Sequence, residues 1–163
     1  LNELDSLHDQ FDLILIDTGA GISSNVMYFN YAAMERIVVV TNEPTSLTDA
    51  YALIKVLIKE YHQKRFKVLV NLARSGAEAD RIFKSLSLVA DRYLSSPALD
   101  YLGWIPYDKQ IPVAVRKQRV FLESHPEIPA SKSIMALAKR MLAEDDVAFE
   151  GDIKFFWRRL LEH

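Results

Sequence analysis

An aspartate follows a short apolar run near the start of the chain. The run 13–16 (Leu-Ile-Leu-Ile) is followed by Asp17, and Gly21 stands four residues later. An aspartate after an apolar parallel strand is the Walker B arrangement, whose carboxylate reaches Mg²⁺, usually through water. Gly21 would let the backbone approach a terminal phosphate and donate its N–H to it. The motif alone fits a plain turn equally well, with Asp17 capping the next helix.

Polar or rigid residues follow two later apolar runs. Asn71 ends the run 66–71, and its amide could hydrogen-bond an adenine edge while Arg74 stacks on the ring. The run 99–105 leads into Pro106–Asp108, a rigid loop whose backbone could contact a base. A structural interpretation also exists, because Asn71 could simply turn the chain.

The sequence lacks a phosphate-binding loop. None of its five glycines opens the Gly-x4-Gly-Lys-Ser/Thr pattern or the three-glycine fingerprint of dinucleotide sites. No arrangement of Ser, His and Asp points to hydrolase chemistry either. These 163 residues are therefore not expected to hold a triphosphate by themselves.

Alternating strand and helix patterns must position these residues. The predicted strands span residues 11–17, 36–41, 66–71 and 99–105, and the predicted helices residues 47–61, 78–94 and 131–143. Crossovers that contain a helix join parallel strands, so the pattern predicts an α/β fold with a parallel sheet covered by helices on both faces. Ligands of such folds bind beyond the carboxyl ends of the strands, where the polar residues above are found.

Composition excludes several classes of protein. A hydrophobic fraction of 50% and a charged fraction of 26% are typical of a globular domain rather than a disordered or coiled-coil chain. The net charge of −2 gives no reason to expect nucleic-acid binding. The absence of cysteine excludes disulfides, thiolate zinc sites and a cysteine nucleophile. The four histidines are scattered, with no i, i+4 pair to hold a metal.

The last part of the chain predicts an amphipathic helix. Its apolar face contains Ile153, Phe156, Trp157 and Leu160, and its basic face contains Lys154, Arg158 and Arg159. Such a helix suits an anionic membrane surface, where each basic residue contributes about 1 kcal/mol, so that two copies acting together bind far better than one. The alternative is a helix docked on the domain with its basic face in water.

The chain is expected to divide near residue 146. We expect residues 1–146 to form the globular unit and 147–161 the amphipathic helix, with a break between helices over Glu144–Asp146 and at Gly151. Residues 161–163 look like the remnant of a purification tag. Because the first residue is Leu1 rather than methionine, we expect a piece of a longer protein.

Three stretches together resemble the MinD/ParA class of P-loop ATPases. They are residues 17–23 (DTGAGIS), 42–51 (NEPTSLTDAY) and 102–108 (LGWIPYD). Within that class they are similar to the FlhG (FleN) family of flagellar-number regulators. The second stretch is the most specific because it is long and unusual. The resemblance covers most of residues 11–143.

The resemblance implies a nucleotide site that the chain completes only in part. Asp17 would be the switch II aspartate near Mg²⁺, and Gly21 would sense the γ-phosphate of ATP. The P-loop lysines and the switch I aspartate of the class would lie upstream of Leu1. Residues 1–146 would then be the C-terminal portion of a MinD-like ATPase domain, with ATP hydrolysis expected of the parent protein and not of this portion alone.

The resemblance also assigns the base-binding side of that site. Asn71 and Arg74 would face the adenine, and Pro106, Tyr107 and Asp108 would close over it.

The partners implied by the resemblance are those of a flagellar regulator. The parent would form an ATP-dependent homodimer in the cytoplasm, associate with the inner membrane through its last helix, and act on an FlhF-like GTPase and a flagellar transcription activator. Two alternatives stay open. One is a non-catalytic α/β interaction module whose last helix binds a protein groove. The other is a division-site or plasmid-partition relative of the same class, against which the near-neutral charge argues mildly.

Overall fold

The computed structural model describes residues 13–94 and 97–148. In chain order its elements are α1 (Ser24–Ala32), β1 (Ile37–Val40), α2 (Pro44–Lys59), β2 (Arg65–Ala73), α3 (Gly76–Tyr93), β3 (Ala98–Pro106), α4 (Gln110–Arg116), α5 (Phe121–Ser124) and α6 (Pro129–Ala148). None of the helices in this part of the chain is both long and apolar enough to span a bilayer.

The described strands form one parallel sheet in the order β1-β2-β3. Val38 pairs with Val68, which pairs in turn with Tyr101. Helices α2 and α3 provide the two crossovers, as parallel neighbours require. The predicted parallel sheet flanked by helices is thus confirmed, and so are its strands near residues 36–41, 66–71 and 99–105.

The predicted first strand is wrong for the part of it that the structure describes. Residues 13–19 form no strand, and Leu13, Ile14 and Leu15 are exposed, Leu15 by 80%. Residues 11 and 12 lie outside the described range. An apolar run becomes a strand only when a neighbour pairs with its backbone, and in the described sheet β1 pairs with β2 alone. The apolar composition of residues 13–16 was therefore not sufficient to predict a strand.

The main core lies between one face of the sheet and helices α2 and α3. Its strand residues are Val38, Val40, Phe66, Val68 and Val70, and its helix residues include Ile54, Leu57, Ile82 and Leu86. The strand positions alternate along the chain, so a single face of β1 and β2 is buried. The helix positions recur at the three- and four-residue spacing that the sequence analysis used.

The opposite face is covered at β3 but not at β1. Leu102 is buried outside the main core, and α6 packs against β3, where Ser133 Oγ donates to the backbone oxygen of Trp104. On the same face at the other end of the sheet, Val39 of β1 remains 52% exposed. Coverage of both faces, as predicted, therefore holds only at β3 within residues 13–94 and 97–148.

A bulge in β3 makes room for α6. The register passes from Tyr101 opposite Val68 to Gly103 opposite Leu69, which leaves Leu102 as the extra residue. Gly103 has φ +141°, and a Cβ there would lie 2.8 Å from Leu137 Cδ2 of α6. Only glycine adopts this conformation without strain, and a Cβ would also require the end of the Leu137 side chain to shift.

Arg36, a buried residue, holds the end of α1, a helix that the sequence analysis did not predict. Its guanidinium donates to the backbone oxygens of Asn30 (2.6 Å), Tyr31 (3.2 Å) and Ala33 (2.7 Å). Carbonyls at a helix end have no partner within the helix, so the guanidinium supplies the donors that they lack.

Helix α6 continues through the predicted break. It extends to Ala148 and so includes the acidic run 144–146. Glutamate and aspartate are tolerated inside helices, and no glycine or proline interrupts this stretch, so the predicted break over Glu144–Asp146 is wrong. The remainder of the predicted amphipathic helix, with Gly151, Lys154 and the proposed membrane residues Ile153, Phe156, Trp157, Arg158, Arg159 and Leu160, lies outside the described residues.

Candidate functional site

The carboxyl ends of β2 and β3 bring five of the predicted site residues onto one edge of the sheet. Ala73 pairs with Pro106, and the backbone oxygen of Ala73 accepts a hydrogen bond of 2.9 Å from Tyr107 N. The segment from Asn71 to Arg74 therefore runs beside the segment 106–108. This is the edge where α/β folds bind their ligands. We call these two segments together the β2–β3 edge.

The backbone at Asn71 and Leu72 departs from an ordinary strand. Leu72 has φ +58°, in the left-handed region, and the pairing with β3 shifts between Val70 and Ala73. The side-chain oxygen Asn71 Oδ1 accepts from Leu72 N at 2.9 Å. A leucine in this region costs of order 1–3 kcal/mol and persists only where its surroundings hold it, most often at functional sites. The amide group of Asn71 can still donate through its nitrogen.

The second segment of the edge has one structural carboxylate and one exposed ring. Asp108 Oδ1 accepts from Gln110 N at 2.9 Å, at the start of α4. This hydrogen bond gives Asp108 a role in fixing the loop between β3 and α4. The side chain of Tyr107 is 59% exposed, so its ring is accessible for stacking.

Glu78, in the first turn of α3, is a residue that the sequence analysis missed. Its Oε2 accepts from Arg74 N at 2.6 Å, and its Oε1 accepts from Asn42 Nδ2 at 2.8 Å. Its own N–H donates to Ser75 Oγ at 3.2 Å, which caps α3. The spacing Ser75-x-x-Glu78 is the signature of a capping box and could have drawn attention to it. The second contact, to Asn42, could not be found without the fold.

Asp17 and Gly21 are not joined to the β2–β3 edge by any hydrogen bond within residues 13–94 and 97–148. Asp17 is exposed in the unpaired segment before α1, and Gly21 has φ +98°. Helix α1 begins behind Ser23, so Asp17 does not cap it. The structure thus brings together Asn71, Arg74 and residues 106–108, and leaves the other two apart.

A metal ion at Asp17 would need ligands beyond its own carboxylate. Among the described residues, no three His, Asp or Glu side chains come close enough to hold a metal. The exposed oxygen atoms of Asp17 are of the type that Mg²⁺ prefers, and Mg²⁺ usually completes its shell with water and substrate phosphates. The carboxylate of Asp17 therefore offers oxygen ligands that are suited to Mg²⁺.

Comparison with known proteins finds relatives of about twice this length. No protein-family profile matches the chain. The chain is 42% identical over 158 residues to the antiactivator FleN of Pseudomonas aeruginosa, covering 96% of this chain and 56% of FleN. It is 29% identical to the flagellum site-determining protein YlxH of Helicobacter pylori, covering 93% of this chain and 52% of YlxH. It is 26% identical to the septum site-determining protein MinD of Helicobacter pylori, covering 94% of this chain and 58% of MinD.

Proposed function

We propose that this chain provides the base-binding side of an ATPase that regulates flagella. The chain belongs to the MinD/ParA class of P-loop ATPases, as a relative of FleN. The observation that supports this most is the β2–β3 edge, where a strained Leu72 stands between Asn71 and Arg74 and a hydrogen bond holds Tyr107 beside them. The chain spans about half the length of the relatives it matches, so the P-loop is proposed to lie in the rest of a longer protein.

In this proposal each site residue has one task. Asn71 donates to the edge of the adenine, and Arg74 stacks on the ring. Pro106, Tyr107 and Asp108 cover the other side of the base, with Asp108 fixing the turn into α4.

The phosphate side of the site is proposed to use Asp17 and Gly21. Asp17 would hold Mg²⁺ through its carboxylate, and Gly21 would donate its N–H to the terminal phosphate. The metal, when bound with ATP, neutralises charge that develops on the phosphates. The longer protein must bring these two residues towards the β2–β3 edge, because the described part of the chain does not.

The Asp17→Ala variant of the longer protein tests the proposed enzyme activity. Metal-ion catalysis is worth several kcal/mol, so ATP turnover should fall by about 100-fold or more. The matched control is Asp91→Ala, which removes an exposed aspartate near the end of α3 and should leave turnover unchanged. Unchanged turnover in Asp17→Ala would remove the proposed role. A wild-type protein that neither binds nor hydrolyses ATP would favour the interaction-module alternative.

Membrane association and partner binding complete the proposal. The amphipathic segment 153–160 is proposed to bind anionic lipid when ATP brings two copies together. Deleting residues 153–163 should abolish co-sedimentation with vesicles that contain phosphatidylglycerol, and sedimentation of the truncated protein at the wild-type level would contradict it. By resemblance, the proposed partners are an FlhF-like GTPase and a flagellar transcription activator.

A further inference from the structure

We infer that Glu78 is a positioning residue, whose carboxylate sets the conformation of the segment from Asn71 to Arg74 and thereby the affinity of the site for adenine. This inference rests on the nucleotide-binding role proposed above. It assigns to Glu78 no contact with the nucleotide. Its action is through the backbone of Arg74 and the side chain of Asn42.

The two hydrogen bonds that the side chain of Glu78 accepts require a carboxylate. Both partners, Arg74 N and Asn42 Nδ2, are donors, and each takes a different oxygen, at 2.6 Å and 2.8 Å. Only an ionised carboxylate offers an acceptor on both sides; an amide would turn its NH₂ group against one of the donors. Bonds to a charged acceptor are also shorter and stronger than those between neutral groups.

The carboxylate joins parts of the chain that are far apart in sequence. Asn42 lies between β1 and α2, 36 residues before Glu78, and Arg74 lies between β2 and α3. Glu78 itself is held by the first turn of α3, where Ser75 is the cap and Ala79 is fully buried. The end of β1, the end of β2 and the start of α3 are thus tied at one point.

The strained backbone gives this tie its importance. Leu72, with φ +58°, is two residues from Arg74, so its left-handed conformation lies within the stretch that Glu78 restrains. A strained segment relaxes when its restraints are removed. Release of Arg74 N should therefore let residues 71–74 populate other conformations, in which the Asn71 amide no longer faces the base.

The same contacts should contribute little to overall stability. Asn42 and Arg74 are exposed, so water can replace the hydrogen bonds that they lose. Loss of Glu78 should hence weaken nucleotide binding without unfolding the domain. That separation distinguishes a positioning residue from one that only stabilises α3.

The test uses the full-length protein and fluorescent analogues of ATP and GTP. Glu78→Gln should raise the Kd for the ATP analogue by about threefold, because an exposed hydrogen bond that water partly replaces gives residues 71–74 only a modest bias towards the binding conformation. The preference for ATP over GTP should fall with it, and the melting temperature should stay within about 2 °C of wild type because the lost bonds are exposed. In single-turnover measurements at saturating ATP, the hydrolysis rate should change less than twofold.

Two controls separate positioning from capping and from charge. Ser75→Ala removes the cap of α3 but keeps the carboxylate, so it should lower the melting temperature and leave the Kd near wild type. Glu60→Gln removes an equal charge at the exposed end of α2 and should change neither quantity. Asn42→Ala removes the hydrogen bond from Asn42 to Glu78 and should also raise the Kd for the ATP analogue, as Glu78→Gln does.

Amide hydrogen exchange gives a readout without nucleotide. The Arg74 amide should exchange faster in Glu78→Gln than in wild type. Unchanged exchange, or an unchanged Kd in a protein that does bind ATP, would overturn this inference alone. A wild-type protein that binds neither analogue would overturn the proposed function and the inference together.

Discussion

The hydroxyl and the ring of Tyr101 have opposite effects on the stability of the core. The ring packs against Phe83 of α3 with centroids 5.0 Å apart. The hydroxyl is buried and has no hydrogen-bond partner among the described residues. Burial, and secondarily the charge of Asp80, raises the pKa of Tyr101 above its ordinary value. An unpaired buried hydroxyl costs about 1–3 kcal/mol, which the ring's contacts must offset.

Tyr101→Phe should therefore stabilise the protein. At pH 7 we expect the free energy of unfolding to rise by about 1 kcal/mol, because the buried hydroxyl is removed and the ring is kept. Folding raises the pKa of the Tyr101 hydroxyl above its unfolded value of about 10. The wild type should therefore lose stability as the pH rises from about 10 towards the folded pKa. The Phe variant has no hydroxyl at this position and should not show this loss.

Urea unfolding at pH 7 and at pH 11 measures both effects. Tyr93→Phe is the matched control, because the side chain of Tyr93 is 64% exposed, and it should leave the pH 7 stability unchanged. Destabilisation of Tyr101→Phe by 1 kcal/mol or more would show that the hydroxyl has a partner such as a bound water.

At the scale of elements, the bulge at Gly103 decides how closely α6 approaches β3. Gly103→Ala should destabilise the domain by about 1–3 kcal/mol, since it combines an unfavourable φ with overpacking against Leu137. Chemical denaturation would measure this loss.

Gly19→Ala is its matched control. A Cβ at Gly19 meets nothing within 4 Å, so that variant should keep its stability. Adding Leu137→Ala to Gly103→Ala should not restore stability fully, because the φ of residue 103 stays unfavourable. Equal stability of Gly103→Ala and wild type would contradict the role given to the bulge.

Sequence patterns predicted the helices and strands whose own residues show a regular hydrophobic periodicity. The strand 66–71 and the helix 47–61 follow from local hydrophobic periodicity, and both are present within a few residues of the expected bounds. The run 13–16 has equal apolar character, yet pairing with a neighbour decides whether it is a strand, and pairing cannot be read from the run itself. Helix α1 was missed because its buried residues, Val26, Met27 and Ala32, do not recur at the spacing of a regular apolar stripe.

In the candidate site, too, some features were predictable from the sequence and others depend on tertiary structure. The positions of Asn71 and of Pro106–Asp108 at strand ends were predictable from the apolar runs before them. Their closeness was predictable only because parallel neighbours end at the same edge. The tie from Glu78 to Asn42 depends on tertiary structure, and no local pattern encodes it.

At the scale of the whole molecule, β1 leaves both an edge and a face uncovered in the described part of the chain. Val39 is 52% exposed on the face that α6 covers only at β3, and the other edge of β1 pairs with no described strand. Exposed edges of this kind promote association between chains. We therefore expect the isolated 163-residue chain to self-associate as its concentration rises.

Val39→Lys should shift that equilibrium towards monomer without unfolding the domain, because a charge on an edge strand opposes further pairing. Sedimentation velocity over a range of concentrations would measure it. Leu88→Lys, at a residue of α3 that is 71% exposed, is the matched control. An equal effect of both substitutions would mean that general surface hydrophobicity, and not the edge at β1, causes the association.

The guanidinium of Arg36 also bears on the order in which the chain folds. All of the acceptors described for it lie two to six residues earlier in the sequence. Contacts of such short range need no long loop to close, and closing a loop of about ten residues takes roughly 10–100 ns. The pairing of β1 with β2 instead spans 30 residues, from Ile37 to Lys67. The contacts that end α1 therefore do not depend on closing the 30-residue loop between β1 and β2.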